Sequence, residues 1–264
     1  MIRSRDIAAV MVTVDRSPQR NYLLTTLDNI RKSRKSSARL HSLTLFDSHT
    51  GFASRHAIGL DGDLRVVQSA RRLCGSMNVA TALYMGAASS PDNVKWVLFL
   101  EDDIDVCADF FDGVGAWLDD YGDSEHLVYP LAAGYRWVDA AVKSGESAHV
   151  YPVRQFYGTQ AFVMRIDDAL NLSSYIADDP YRKNDEGVSW DLMMHDWATK
   201  HGASHFLTPC PSFVQHIGRE STVNPRPKTH QFASWPGREW SYRSVGKSAV
   251  SEAVVFDGVT VVPV

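Results

Sequence analysis

Apolar residues arrive in short, nearly unbroken runs separated by polar, turn-rich stretches. Ile7–Val14 reads IAAVMVTV. A run without polar alternation fits a strand covered on both faces, as in a parallel sheet. Ser17-Pro18 then supplies an N-cap and a proline for a first helical turn. Leu23, Leu24, Leu27 and Ile30 follow at helical spacing. His41–Phe46 is a second strand, closed by Asp47-Ser48. Residues 49–63, rich in Gly, Ser and Asp, form a loop, and Leu64–Val67 is a short third strand. Asn78–Ala88 reads as a helix, and Val94–Leu100 as a fourth strand. Residues 1–105 thus alternate strand and helix. That order predicts an open sheet with right-handed crossovers and ligands at the carboxyl ends of its strands. Asp15, Asp47 and Glu101–Asp103 all fall at such ends.

The pattern is looser beyond residue 105. Phe110–Tyr121 is a helix and His126–Leu131 a strand. Gly158–Arg165 turns on a glycine into a strand. Val188–His201 is a helix with Leu192, Met193 and Trp197 inward. His205–Thr208 and Ser212–Gln215 are short strands. Residues 218–247 mix Pro, Gly, Ser, Arg and Trp without a period and are expected to form a loop or lid. In the terminal VVFDGVTVV, Asp257-Gly258 marks a hairpin.

The bulk properties narrow the classes. The 264 residues suit one large α/β domain, and 44% hydrophobic content allows a substantial core. A net charge of −4 gives no footprint for non-specific nucleic-acid binding. Cys74, Cys107 and Cys210 lie far apart and form no CxxC pair, which argues against a zinc knuckle or disulfide framework. Asp6 and Asp15 bracket the first apolar run, unlike a signal peptide. No window approaches the roughly 18 apolar residues of a transmembrane helix. A soluble, cytoplasmic chain without a membrane span is expected.

The candidate chemistry lies in VLFLEDDIDV, residues 97–106. A buried strand runs into Glu101, Asp102 and Asp103, whose like charges repel unless water, an arginine or a metal neutralises them. A solvated acidic loop is the plain alternative. A hard cation such as Mn²⁺ or Mg²⁺ suits the carboxylates and leaves positions open for phosphates. Strand alternation points Glu101 and Asp103 one way and Asp102 the other, towards a ribose hydroxyl.

LEDD after a strand resembles the "DxD" motif of GT-A nucleotide-sugar glycosyltransferases, and PSFVQHIG at Pro211–Gly218 resembles a segment of the N-acetylglucosaminyltransferase IV family. The resemblance implies a GT-A (Rossmann-like) α/β fold. That is an open, twisted mixed sheet with helices on both faces, in a single domain. It divides into a nucleotide-sugar half (1–105), an acceptor half (106–217) and a C-terminal loop and hairpin (218–264). It implies Mn²⁺ or Mg²⁺ held by Asp103 directly, by Glu101 through water, and by His216. Asp102 is then near the ribose. Asp191, at a helix start, takes the acceptor proton, with Asp185, Glu186 and Asp196 as substitutes. A purely structural role in the helix dipole is the plain reading of Asp191, as a surface or core position is of His216. Gly158, Thr159 and Gln160 border donor sugar and acceptor. Asp47 meets base or ribose, with Thr13, Asp15 and Arg16 lining the pocket. Arg71 and Arg72 are phosphate contacts or a solvated basic pair.

The expected activity is transfer of a hexosyl or N-acetylhexosaminyl group from a UDP-sugar to an acceptor hydroxyl, with inversion. The acceptor classes are a glycan, a protein, a lipid-linked sugar or a modified nucleobase. Two rivals are a sugar-phosphate nucleotidyltransferase and a non-catalytic sugar- or nucleotide-binding module. The stretch DRSPQR after the first strand lacks the glycine of a phosphate loop, which counts against the first rival.

Overall fold

The first strand, β1 (Ile7–Thr13), occupies the middle of a six-stranded sheet. In the computed structural model, the described residues are 5–15, 21–33, 39–51, 53, 64–132, 136–156, 159–178, 190–218, 235–242, 250–252, 254–256 and 259–261. Helix α1 (Leu23–Ser33) leads to β2 (Leu40–Asp47), which pairs in parallel with β1. Then come β3 (Leu64–Gln68), helix α2 (Gly75–Ala88) and β4 (Trp96–Glu101). β3 lies parallel to β2, and β4 parallel to β1 on its other side. The chain therefore steps outward from β1 to β3 and returns to β4. The strand order reverses between β1 and β4, and an α/β sheet opens its ligand crevice at the carboxyl ends there.

The second half extends the same sheet. Strand β5 (Ile104–Val106) and helix α3 (Phe110–Tyr121) follow the acidic turn. Next are β6 (Tyr129–Pro130), α4 (Arg136–Lys143), β7 (Ala148–Pro152) and β8 (Ala161–Arg165). β8 runs antiparallel to β4 and to β6, completing the order β3-β2-β1-β4-β8-β6. Helices α5 (Ile166–Asp178) and α6 (Trp190–Lys200) precede β9 (His205–Pro209) and β10 (Val214–His216). β10 pairs antiparallel with β5, and β7 lies between β9 and β11 (Val250–Glu252). β12 (Val254–Phe256) and β13 (Val259–Val261) form the expected hairpin, while Asp257-Gly258 lies outside the described residues.

The unbroken apolar runs have the two-sided burial they predict. Along β1, Ile7, Ala9 and Met11 join one core with Leu23, Leu27, Phe110 and Trp117; helices α1 and α3 cover that face. Val10 joins the other with Leu83, Leu172, Met194 and Trp197, from α2, α5 and α6. The expected open α/β sheet with helices on both faces is thus present in one domain. Among the described residues, no helix is long and apolar enough to cross a membrane. Cys107 and Cys210 are buried, and burial pushes both thiols well above their usual range, so they stay protonated and unreactive.

Several boundaries differ from the expected ones. The strand over His126–Leu131 shortens to Tyr129–Pro130. The expected helix at Asn78 starts one turn earlier, at Gly75. Among the strands and α-helices, β5, α4, β7, α5 and β11 have no counterpart in the sequence reading. In α5, Ala169, Leu172 and Ile176 face the core at helical spacing, but Asp167, Asp168, Asn171 and two serines dilute the pattern. Of the expected 218–247 loop, residues 219–234 and 243–249 lie outside the described residues. Residues 235–242 pack on the domain: Trp240 and Tyr242 lie 5.4 and 5.8 Å from Phe213, ring centre to ring centre. Trp240 thus packs on the core's edge.

Candidate functional site

The carboxyl ends of β1 and β4 are tied together by a buried hydrogen bond. Thr13 Oγ1 donates to Asp102 Oδ2 at 2.5 Å. Thr13 follows Ile7, Ala9 and Met11 on the α1 face of β1, so Asp102 turns to that face as well. Helix α1 fixes the turn from beneath. Thr26, fully buried, places its Oγ1 2.8 Å from the carbonyls of both Asp102 and Ile104, and accepts from the Ile104 amide at 3.1 Å. One hydroxyl donates to one carbonyl at a time, so Thr26 serves the turn as a shared clamp. A threonine on the apolar stripe of Leu23, Leu27 and Ile30 was the signal for it; the sequence reading passed it over.

Beyond the turn, β5 and β10 bring the two short motifs together. Their antiparallel register sets His216 opposite Ile104 and Gln215 opposite Asp105. The Ile217 amide donates to the Asp103 carbonyl at 2.8 Å. His216 Nε2 then sits 3.2 Å from Asp103 Oδ2, and both residues are largely buried. Gly218 closes the group. A Cβ there would stand 2.2 Å from Asp103 Oδ2 and 2.8 Å from His216 Nε2. Real Cβ atoms do not approach so closely, so only glycine lets the backbone pass this near the two side chains.

This donor set suits a Mn²⁺ or Mg²⁺ ion. Such ions use one or two carboxylates from the protein and complete their shell with phosphate and water, and imidazole is tolerable for Mn²⁺. Among the described residues, no group of three or more His, Cys, Asp or Glu could hold a metal ion. Glu101 closes β4 just before the bend. It continues the Val97–Phe99 side of β4, the face of α2 and α6. Regular pleating ends at the bend through Asp102 and Asp103, so strand alternation does not by itself fix how the three carboxylates group. Asp105, also buried, is paired with Arg238 Nε at 2.5 Å.

Asp191 stands in the first turn of α6 and is 8% exposed. The preceding Trp190 packs on Phe99 of β4 and Phe162 of β8, at 5.4 and 5.6 Å. His195, one turn on, holds the Phe156 carbonyl through Nε2 at 2.7 Å. These contacts fix the helix start on the sheet face to which Glu101 belongs. Asp196 is exposed, 4.0 Å from Lys200 on the same helix. Asp185 and Glu186 lie outside the described residues.

The other expected residues divide. Gln160 meets β4 through its carbonyl, which accepts the Glu101 amide at 2.8 Å, and Thr159 beside it is buried. Asp47 is fully buried and turned into its own loop: Oδ1 accepts from Thr50 N and Oγ1 at 3.0 and 2.5 Å, and Oδ2 from Ala53 N at 2.9 Å. It shapes the loop after β2, in place of the expected base or ribose contact. Asp15 accepts from Asn21 Nδ2 at 3.1 Å. Arg71 and Arg72 are exposed, just before α2. Arg16 and Gly158 lie outside the described residues.

No protein-family model matches the chain, and no curated protein does. Solved structures do. One is GalNAc-T7, whose crystal structure holds UDP, GalNAc and Mn²⁺. The two share 15% identity at a TM-score of 0.56, over 84% of this chain and 45% of that one. This chain therefore spans less than half the length of that neighbour. Another is 4-diphosphocytidyl-2C-methyl-D-erythritol synthase from Anaerococcus prevotii DSM 20548. It shows 9% identity and a TM-score of 0.49, over 79% of this chain and 88% of that one. At such identities, the likeness to GalNAc-T7 is a likeness of fold.

Proposed function

We propose that this protein is a metal-dependent GT-A glycosyltransferase that moves a hexosyl or N-acetylhexosaminyl group from a UDP-sugar to an acceptor hydroxyl, with inversion. The observation that carries the reading is the pairing of Asp103 with His216 at 3.2 Å, at the strand-order reversal, with the Gly218 backbone packed close against both. The GT-A-like fold shared with GalNAc-T7, a protein solved with UDP and Mn²⁺, supports it.

Asp103 and His216 would hold the ion, with Glu101 reaching it through water. Bound there, Mn²⁺ or Mg²⁺ supplies positive charge against the charge that builds on the diphosphate. Asp102, oriented by Thr13, meets the ribose. Asp191 accepts the acceptor's hydroxyl proton while that oxygen bonds to the anomeric carbon. The bond from that carbon to the diphosphate oxygen breaks, and the nucleoside diphosphate leaves with the electron pair. Thr159 and Gln160 border the sugar, and Arg71 and Arg72 attract the phosphates. The acceptor is a glycan, a protein, a lipid-linked sugar or a modified nucleobase. In this reading, residues 1–105 carry the donor site and 106–217 the acceptor side.

Incubation with a panel of nucleotide sugars tests the reading. With Mn²⁺ and no acceptor, slow release of UDP from one UDP-sugar is expected, with chelator stopping it. Release of pyrophosphate from UTP and a sugar phosphate would establish the nucleotidyltransferase instead. Binding of nucleotide sugar without turnover under any condition would leave a binding module.

A further inference from the structure

Helix α2 brings a buried amide to the same strand ends from the opposite face. Gly86 lies against β1, where an added Cβ would stand 2.5 Å from Val10 Cγ1 and 3.5 Å from Val97 Cγ1. α2 is the crossover into β4, parallel to β1, so it runs antiparallel to both. Asn78 stands eight residues before Gly86, about 12 Å along the helix axis. At about 3.3 Å per strand residue, that places it level with Thr13, at the carboxyl end of β1. Asn78 is 9% exposed, and its Oδ1 is buried with no hydrogen-bond partner among the described residues. Helical side chains lean towards the N-terminus, so this oxygen is directed at the first turn of α2. No side chain caps that turn, it contains no acidic residue, and the space beside Gly75 is open.

A buried carbonyl oxygen left without a donor is costly. Diphosphate cannot satisfy it, having no hydrogen to give at neutral pH. A nucleoside can, through a ribose hydroxyl or the imide N–H of uracil, while the amides of the open helix turn meet the oxygens beside it. Asp47, the acid at the neighbouring strand end, has both oxygens turned into its own loop. We infer that Asn78 is the residue that accepts a hydrogen bond from the nucleoside of the donor and sets nucleotide preference. This rests on the transfer reading above.

The test is Asn78→Ala, read by apo stability and by UDP titration in the presence of Mn²⁺. Removing an unsatisfied buried oxygen at a helix position should leave the apo melting temperature unchanged or raised, because alanine is also the better helix former. UDP binding should weaken roughly tenfold, the usual effect of one lost hydrogen bond. Parallel titrations with 2′-deoxy-UDP and CDP locate the hydrogen: the analogue that already lacks it should bind wild type and variant alike. A variant that loses apo stability, fails to fold or binds UDP as wild type does would mark Asn78 as structural and overturn the inference. Wild-type protein that binds none of the three would overturn the transfer reading itself, and the role of Asn78 with it.

Discussion

At the scale of single residues, the acidic turn is held by neighbours that carry no charge. Thr26 serves two carbonyls and one amide of the turn, and the isosteric Thr26→Val leaves those groups unsatisfied in a buried place. A loss of about 1–3 kcal/mol of stability is expected, checked by chemical denaturation. Gly218→Ala acts differently. Its Cβ would press on Asp103 and His216, so Mn²⁺-dependent nucleotide binding should fall at least tenfold while the fold persists. Calorimetric titration of the folded variant checks this, and wild-type affinity would show that the close approach is not needed. The sequence singles out Asp103 and His216 as candidates because their motifs are unusual. It could not disclose their mutual approach, which depends on the pairing of β5 with β10. Asp47 misled for a related reason: position at a strand end says nothing of where the carboxylate turns.

At the scale of elements, α6 presents Asp191 because Trp190 fastens its first turn to β4 and β8. Asp191→Asn should keep UDP-sugar binding and slow transfer by about 10²–10⁴-fold, the usual contribution of a general base. Titration and a transfer assay on the same preparation separate the two effects. Unchanged transfer would move the base to Asp185, Glu186 or Asp196. Strands β1 and β4 were plain in the sequence because burial on both faces leaves an unbroken apolar run. Helix α5 was not, since Asp167, Asp168 and Asn171 dilute its stripe. Strands β5 and β10, three residues each, are too short to show a period, yet they join the two motifs.

At the scale of the whole molecule, stability depends on pH through buried groups outside the site. His149 on β7 is buried, and desolvation holds its pKa below the ordinary 6.5, with the Glu146 charge opposing. Below pH 6.5 the unfolded chain binds a proton that folded His149 refuses, so stability falls as the pH drops through that value. His149→Gln should flatten this loss between about pH 7 and 5, as thermal melts across that range would show; an unchanged pH profile would exclude His149 as its source. The open α/β sheet was legible in the sequence, because strand and helix alternate over residues 1–105. The antiparallel addition of β8 and β6 was not, since the pairing partners of short strands are set by the rest of the fold. In the proposed function, Asp103 and His216 form, with a divalent ion, the seat of a nucleoside diphosphate. Calorimetric titration of UDP, with and without Mn²⁺, into wild type and Asp103→Asn tests it most directly. UDP binding to wild type only with Mn²⁺, and its loss in the folded Asp103→Asn variant, is the predicted result; UDP binding that ignores both the ion and the substitution would contradict the account.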